Sequence, residues 1–181
     1  AILAIVGGFL DSYSYLMRGH VFANAQTGNI VLFGVYLEKR NLRVKLGKNI
    51  FKTHRYMAGS DEERVSDLHE AFQNTEINGI ICARGGYGSI RLLKLIDFDL
   101  IRRNPKIFCG YSDITALSLM MAKHSDLITF SAPMAQSDFN DITEFTANSF
   151  FRVLTGEKEE YFSTWTYLSG NAEGIIWGGN L

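Results

Sequence analysis

Two short apolar runs, each followed at once by a glycine-containing turn and a helical pattern, constrain the fold of this chain most. The first run, NGIICA at residues 78–83, is continuous rather than alternating, as strands are when helices cover both faces of a parallel sheet. The second run occupies residues 106–109 and ends at Gly110. Because strand, turn and helix repeat in this order, both turns should lie at the carboxyl edge of one sheet. We therefore expect an α/β protein.

The turn after the second run presents Ser112 as a candidate nucleophile. Gly110 permits a sharp turn, and a helical pattern begins beyond Asp113. A hydroxyl at such a corner is exposed at the edge of the sheet, where the free amides of the new helix can stabilise an oxyanion. The nucleophile elbow G-x-S-x-G is incomplete, because Ile114 occupies its last position. The alternative is that Ser112 or Asp113 is only the N-cap of the helix.

The turn after the first run, ARGGYG, is the second chemical feature. Its glycines, Gly85, Gly86 and Gly88, would let backbone amides face an oxyanion or a carboxylate. The loop does not match the phosphate-binding patterns G-x-x-x-x-G-K-[ST] or G-x-G-x-x-G, and it could be only a tight turn before a helix at residues 89–96. Arg84 could bind a substrate carboxylate as a fork or pair with a surface acid.

Local patterns predict the remaining elements. Ser60 and Glu63 form a capping box before an apolar stripe of helical spacing. We predict strands at residues 42–46 and 127–131 and helices at residues 61–73 and 145–154.

Composition excludes several kinds of function. With 46% hydrophobic residues, 20% charged residues and a net charge of −1, the 181-residue chain suits a globular domain rather than a nucleic-acid-binding or disordered protein. Cys82 and Cys109 lie in apolar runs without a CxxC partner or a histidine cluster, so we expect no metal and no other cofactor. Cysteines of this kind indicate a reducing compartment, and we expect the protein to be cytoplasmic.

The first segment differs from the rest of the chain. Residues 1–37 are nearly free of charge, whereas a basic cluster follows at residues 39–55. The stretches GGFLDSYSYL and GHVFANAQTGNIV resemble the start of the YoaK-like family of bacterial integral membrane proteins. That resemblance implies possible membrane association through residues 1–37, with the basic cluster as a cytoplasmic anchor. The alternative for the cluster is an ordinary solvated surface. The second part of the segment is too short to cross a bilayer alone, which takes about 20 apolar residues.

From residue 42 onward the sequence resembles the amino-terminal domain of the LD-carboxypeptidase family, which includes the microcin C immunity peptidases. The matching stretches are YMAGSDEERVSDLHEAF, INGIICARGGYGSIRLLKLIDF, NPKIFCGYSDITAL, ITFSAPM and EGIIWGGNL. The resemblance implies a serine peptidase with a Ser-Glu-His triad on a flavodoxin-like domain, similar to class I glutamine amidotransferases. Its reaction would be hydrolysis of the LD-bond that releases D-alanine from a murein tetrapeptide, in peptidoglycan recycling.

The resemblance also assigns residues. Ser112 matches the nucleophile, the amides of Gly86 and Asp113 match the oxyanion hole, and Arg84 and Gly85 would lie at the substrate. A murein peptide is the implied partner, and a homodimer is possible as in the family.

Departures from the family pattern define the expected organisation. We assign residues 1–37 to the YoaK-like segment, 38–155 to the nucleophile domain and 156–181 to a connector. The YoaK-like residues take the place of the family's first strand, so the sheet would lack its proper starting strand. The family's glutamate and histidine come from a carboxyl-terminal domain, and nothing places His54, His69 or His124 beside Ser112. The expectation is a truncated, inactive nucleophile domain; the alternatives are a membrane-anchored fragment and a non-catalytic murein-peptide binding module.

Overall fold

A parallel β-sheet with helices on both faces organises the part of the chain that the structure describes. The computed structural model describes residues 2–6, 37, 40–54, 57–139, 142–157, 170, 173–175 and 179. The strands are β1 (Ile2–Val6), β2 (Arg43–Leu46), β3 (Ile77–Cys82) and β4 (Ile107–Cys109), in the order β2-β1-β3-β4. The helices are α1 (Asp61–Gln73), α2 (Ser89–Leu92), α3 (Phe98–Arg103), α4 (Thr115–Ser125) and α5 (Glu144–Leu154). All strand pairs are parallel, which confirms the predicted α/β class.

Helix α1 begins and ends where the sequence predicts. The Ser60 hydroxyl accepts a hydrogen bond from the Glu63 amide (3.2 Å), and the Glu63 carboxylate accepts one from the Ser60 amide (2.9 Å). This reciprocal pair satisfies two amides that the first turn of a helix leaves free. The apolar stripe of α1 is buried, with Phe72 fully enclosed. The capping box and the helix are therefore confirmed.

Alternate residues of the central strands face two separate cores. Ile80 of β3 and Phe108 of β4 belong to the first core, where Phe72 of α1 stacks against Phe108 with ring centroids 6.3 Å apart. Their chain neighbours Ile81 and Cys109 belong to the second core. The second core is completed by three aromatic side chains, Phe139, Phe150 and Phe151. Because successive strand residues point to opposite faces, β3 is buried on both sides, as its continuous apolar run predicts.

Strand β1 corrects the prediction that the sheet lacks its starting strand. Ile2–Val6 lie between β2 and β3, with Ile5 opposite Leu46 on one side and Ile81 on the other. A central strand of this kind satisfies its backbone groups on both edges. Residues 1 and 7–36 of the YoaK-like segment lie outside the described residues. Within the described ranges no helix is long and apolar enough to cross a membrane.

The basic cluster after residue 37 contributes to surface ion pairs. The ammonium groups of Lys45 and Lys48 lie 3.3 Å and 2.7 Å from the Glu70 carboxylate, and that of Lys52 lies 2.6 Å from Glu63. These lysines face acidic residues of α1 rather than forming an unopposed positive patch. This arrangement favours the solvated-surface interpretation over a membrane anchor.

Two boundaries differ from prediction because tertiary contacts determine them. The predicted strand at 127–131 is reduced to a bridge between Phe130 and Cys109, after which the chain crosses to β3, where the Ala135 amide donates to the Cys82 carbonyl (3.2 Å). The predicted helix at 89–96 ends at Leu92. The short helix α3, which the sequence did not predict, follows after Asp97 caps it by accepting from the Leu100 amide.

Candidate active site

Ser112 lies at the corner between β4 and α4, in a strained backbone conformation. Its φ of +59° falls in the left-handed region, which residues other than glycine rarely adopt. Tyr111 before it is extended, and a 3₁₀ turn (Ser112–Ile114) leads from it into α4. Such strain persists only where surrounding contacts impose it, and it is common at functional sites. The strand, corner and helix predicted around Ser112 are confirmed.

Ile114, which occupies the last position of the G-x-S-x-G pattern, packs directly against Gly110 at the first position. A Cβ atom at Gly110 would lie 2.7 Å from Cγ2 of Ile114, a distance shorter than real carbon contacts. The Ile114 side chain therefore fills the space that a glycine at the first position leaves open, and it is buried there with 2% exposure. A glycine in place of Ile114 is not needed for the sharp turn.

The ARGGYG loop contacts the corner directly. A Cβ atom at Gly85 would lie 3.1 Å from Cβ and 3.4 Å from Oγ of Ser112, so the loop backbone approaches the serine as only glycine allows without displacement. Gly86 and Gly88 have φ values of +125° and +103°, which favour glycine. Gly85 is buried, whereas Gly86 and Tyr87 are exposed. The structure thus brings Ser112 and the glycine loop together at one edge of the sheet.

Asp113 and Ser89 make a second contact between the two turns. The Asp113 carboxylate accepts a hydrogen bond of 2.9 Å from the backbone amide of Ser89, which is the first residue of α2. The acceptor and donor are 24 residues apart in the sequence. In the alternative interpretation Asp113 would cap its own helix, but its carboxylate instead accepts from the start of α2.

Arg84 follows the last residues of β3 and is half-buried. Among the described residues it has no ion pair with an acidic side chain. The alternative that Arg84 pairs with a surface acid therefore receives no support from this part of the chain.

A loop at residues 134–138, which the sequence did not indicate as part of the site, bonds to Tyr111 beside Ser112. The Tyr111 hydroxyl donates to one oxygen of the Asp138 carboxylate (2.9 Å), and the Met134 amide donates to the other (2.8 Å). Burial, together with Asp138, raises the pKa of Tyr111. Tyr111 and Asp138 are 27 residues apart, and no local spacing indicates that they meet.

The histidines of the described residues lie away from Ser112. His69 accepts a hydrogen bond from the Asp97 amide (3.0 Å), and the ring of His124 packs on Phe98 with centroids 5.2 Å apart. His54 forms an isolated backbone bridge with Met57. In this part of the chain none of the three histidines bonds to Ser112. A general base for Ser112 is not among them.

The two thiols are buried and reduced. Cys82 and Cys109 are free cysteines with almost no exposure. Burial raises the pKa of Cys109 to about 12 and raises that of Cys82 as well. Because the thiolate is the reactive form, neither cysteine is a candidate nucleophile. Within the described ranges no group of three or more His, Cys, Asp or Glu side chains could hold a metal ion.

Comparison with known proteins identifies relatives of this arrangement. A family model, the LD-carboxypeptidase N-terminal domain, matches residues 21–132. The probable murein peptide carboxypeptidase of Bacillus subtilis is 41% identical over 153 residues, which cover 81% of this chain and 48% of that protein. The match from residue 21 overlaps the YoaK-like segment, and the resemblance of that segment to membrane proteins is not supported.

Two solved structures have a similar fold. A muramoyltetrapeptide carboxypeptidase from Oxalobacter formigenes superposes with a TM-score of 0.70 and 30% identity, covering 86% of this chain and 48% of that one. The microcin C7 self-immunity protein MccF, in complex with aspartyl sulfamoyl adenosine, gives a TM-score of 0.73 and 28% identity, covering 89% and 45%. The chain spans about half the length of each of these three proteins.

Proposed function

The chain belongs to the LD-carboxypeptidase family, and from this premise we propose that it supplies the nucleophile domain of a serine carboxypeptidase acting on murein peptides. Ser112 is the nucleophile in this proposal. The observation that carries it is the strained backbone of Ser112, with a φ of +59°, held against the glycine loop at the edge of the sheet. A merely structural serine would gain nothing from that strain.

The proposed oxyanion hole consists of the backbone amides of Gly86 and Asp113. Two contacts support it: the close approach of Gly85 to Ser112 and the hydrogen bond from Ser89 to Asp113. Both contacts keep the glycine loop beside the serine. Backbone amides that are fixed before the reaction stabilise a developing oxyanion without reorganisation, which is usually the largest electrostatic contribution to acyl transfer.

The proposed substrate is a murein tetrapeptide, cleaved at the LD-bond to release D-alanine. Relatives that are named murein peptide carboxypeptidases and muramoyltetrapeptide carboxypeptidases support this choice. Arg84, which has no ion pair within the described residues, would bind the terminal carboxylate beside Gly85. A guanidinium binds a carboxylate through two parallel hydrogen bonds, so it can fix the orientation of the peptide.

Finer features of the family also belong to the proposal. The order β2-β1-β3-β4 supports a flavodoxin-like sheet, whose strands follow the order 2-1-3-4-5. Residues 38–155 and strand β1 would form the nucleophile domain, and residues 156–181 the connector. A homodimer and a cytoplasmic location complete the proposal, and two buried free cysteines fit a reducing compartment.

Covalent labelling tests the proposed nucleophile. Because the described histidines supply no base to Ser112, the chain is incubated with a fluorophosphonate in the presence of imidazole, and the modified residue is identified by peptide mass spectrometry. We expect phosphonylation of Ser112 in the wild type and none in Ser112→Ala. Modification at another site, or no modification at any concentration, would refute the role of Ser112.

Chemical rescue tests the reaction itself. A serine without a base is a weak nucleophile at neutral pH, and the described histidines are engaged elsewhere. Added imidazole should therefore raise D-alanine release from a murein tetrapeptide, in the wild type but not in Ser112→Ala. The control peptide ends in L-alanine and should be cleaved much more slowly. Calorimetric binding of the tetrapeptide without any Ser112-dependent hydrolysis would favour the binding-module alternative.

A further inference from the structure

The glycine loop is anchored to the nucleophile turn at two points that flank Gly86. On one side, Gly85 lies against the Ser112 side chain. On the other side, the Ser89 amide donates to the Asp113 carboxylate over 2.9 Å. The amide of Gly86, whose φ is +125°, lies between the two anchors.

The loop between these anchors has little intrinsic rigidity. Gly86 and Gly88 adopt conformations open mainly to glycine, and glycine loses more conformational freedom on folding than any other residue. Gly86 and Tyr87 are exposed, so packing does not hold them. The orientation of the Gly86 amide therefore depends on contacts at the ends of the loop.

Of the two anchors, the hydrogen bond from the Ser89 amide should orient the Gly86 amide more strongly than the contact between Gly85 and Ser112. Its acceptor is a carboxylate, and hydrogen bonds to charged groups are roughly twice as strong as neutral ones. The hydroxyl of Ser89 is buried with 1% residue exposure and has no hydrogen-bond partner in the described part of the chain. The backbone amide, and not the hydroxyl, is thus the group of Ser89 that hydrogen-bonds to the nucleophile turn.

We propose that the carboxylate of Asp113 is a positioning residue that fixes the glycine loop beside Ser112. The backbone amide of Asp113 would belong to the oxyanion hole, while its side chain holds the loop that carries the other amide. Asp113 would in this way set the distance between the two oxyanion-hole donors, its own amide and that of Gly86. The catalytic meaning of this positioning rests on the proposed function; the mechanical role does not.

Amide hydrogen exchange followed by NMR tests the mechanical role in the full chain. In Asp113→Ala, exchange at Ser89 should become about ten- to a hundredfold faster, the range expected for loss of a hydrogen bond to a charged group. Gly86 is exposed, so the readout for its amide is the NMR order parameter, which should fall. Asp113→Asn keeps a carbonyl oxygen that can accept from Ser89, and its exchange rates should fall between those of the wild type and Asp113→Ala. Amides of β3 should keep their wild-type rates.

Ser89→Ala is the matched control. It retains the backbone donor and removes only a hydroxyl that has no partner within the described residues, so the exchange rate at position 89 and the order parameter of Gly86 should remain close to those of the wild type. Two results would overturn the inference: unchanged exchange at Ser89 in Asp113→Ala, or an equal rise at Ser89 and across β3. If Asp113→Ala does not fold, the decision falls to Asp113→Asn, whose exchange at Ser89 must exceed that of the wild type.

Fluorophosphonate labelling of the same variants separates this inference from the proposed function. We expect the labelling rate at Ser112 to fall about tenfold or more in Asp113→Ala and to recover partly in Asp113→Asn. If wild-type Ser112 is not labelled, the proposed function fails, while the exchange rates still decide whether Asp113 positions the loop. If labelling is normal in Asp113→Ala despite faster exchange, the loop is positioned by Asp113 but the reaction does not need it.

Discussion

Replacing Gly110 with alanine should strain the corner that carries Ser112. The new Cβ would lie 2.7 Å from Cγ2, 3.1 Å from Cβ and 3.2 Å from Cγ1 of Ile114. Carbon atoms pack best at about 3.5–4.0 Å, so the turn or the helix must move by about 1 Å. Ile114 is branched at Cβ and buried with 2% exposure, which leaves it no free rotamer to adopt. We expect Gly110→Ala to lower the free energy of unfolding by about 1–3 kcal/mol, the usual cost of overpacking.

A double-mutant cycle isolates this contact. Ile114→Ala removes Cγ1 and Cγ2 and should alone cost about 2–5 kcal/mol through the cavity that it leaves. Combined with Gly110→Ala, it also removes two of the three short contacts, so the double variant should be more stable than the sum predicts by about 1 kcal/mol or more. Ile114→Val keeps all three contacting atoms and serves as the control. Its effect, about 0.5–1.5 kcal/mol, should add to that of Gly110→Ala.

Urea denaturation followed by circular dichroism measures these free energies. If the slope of the free energy of unfolding against urea concentration is the same in all variants, the surface exposed on unfolding is unchanged and the free energies can be compared directly. Fluorophosphonate labelling of Ser112 provides a second readout, which should fall in Gly110→Ala and recover when Ile114→Ala is added. The reasoning is wrong if Gly110→Ala is as stable as the wild type, or if the Ile114→Ala cycle is additive.

Three further predictions concern other parts of the structure. Burial lowers the pKa of His69 in the folded protein below the unfolded value of 6.5. Its contribution to the free energy of unfolding is therefore fully present above pH 6.5 and is lost as the pH falls from there through the lower, folded-state pKa. His69→Gln cannot be protonated but can still accept from the Asp97 amide, so it should flatten the pH dependence of stability below pH 6.5. Cys82 and Cys109 should resist iodoacetamide at about pH 8 in the folded protein, because burial raises the pKa of both thiols, and mass spectrometry should detect labelling only after unfolding. Arg84→Lys should weaken calorimetric binding of a murein tetrapeptide about tenfold, because an ammonium cannot form the two-pronged contact of a guanidinium.

Each of these predictions has its own control. His124→Gln removes a histidine that packs on Phe98, and it should leave the His69-dependent loss of stability in place. A thiol that reacts in the native protein would show that its strand opens. The Arg84 variant should unfold at the same urea concentration as the wild type, because Arg84 has no ion pair within the described residues. Equal peptide affinity in that variant would contradict a carboxylate-binding role.

The elements that sequence alone predicts well are those with local causes. Helix α1 matches its prediction at both ends, because Ser60 and Glu63 meet within a single turn. Strand β3 is shifted by one residue, because a continuous apolar run marks a buried strand without fixing its ends. The corner at Ser112 is similarly local: a short strand, Gly110 and a helical pattern suffice to predict it.

The contacts that assemble the candidate site have no such local cause. Ser89 and Asp113 are 24 residues apart, Tyr111 and Asp138 are 27 apart, and their meeting depends on which strands are neighbours. The order β2-β1-β3-β4 could not be derived from the spacing of residues in any one segment.

Strand β1 is the clearest case in which tertiary structure overrides composition. Composition and a resemblance to membrane proteins separate residues 1–37 from the rest, yet Ile2–Val6 pair with β2 and β3 at the centre of the sheet. An apolar run of this length is equally compatible with a strand, a buried helix or part of a membrane segment. The sequence by itself determined the elements that carry a local mark, such as the capping box of α1, the continuous apolar run of β3 and Gly110 at the turn before α4. Only the tertiary structure decided the pairings that join Ser112, the glycine loop and β1, because those depend on backbone partners far away along the chain.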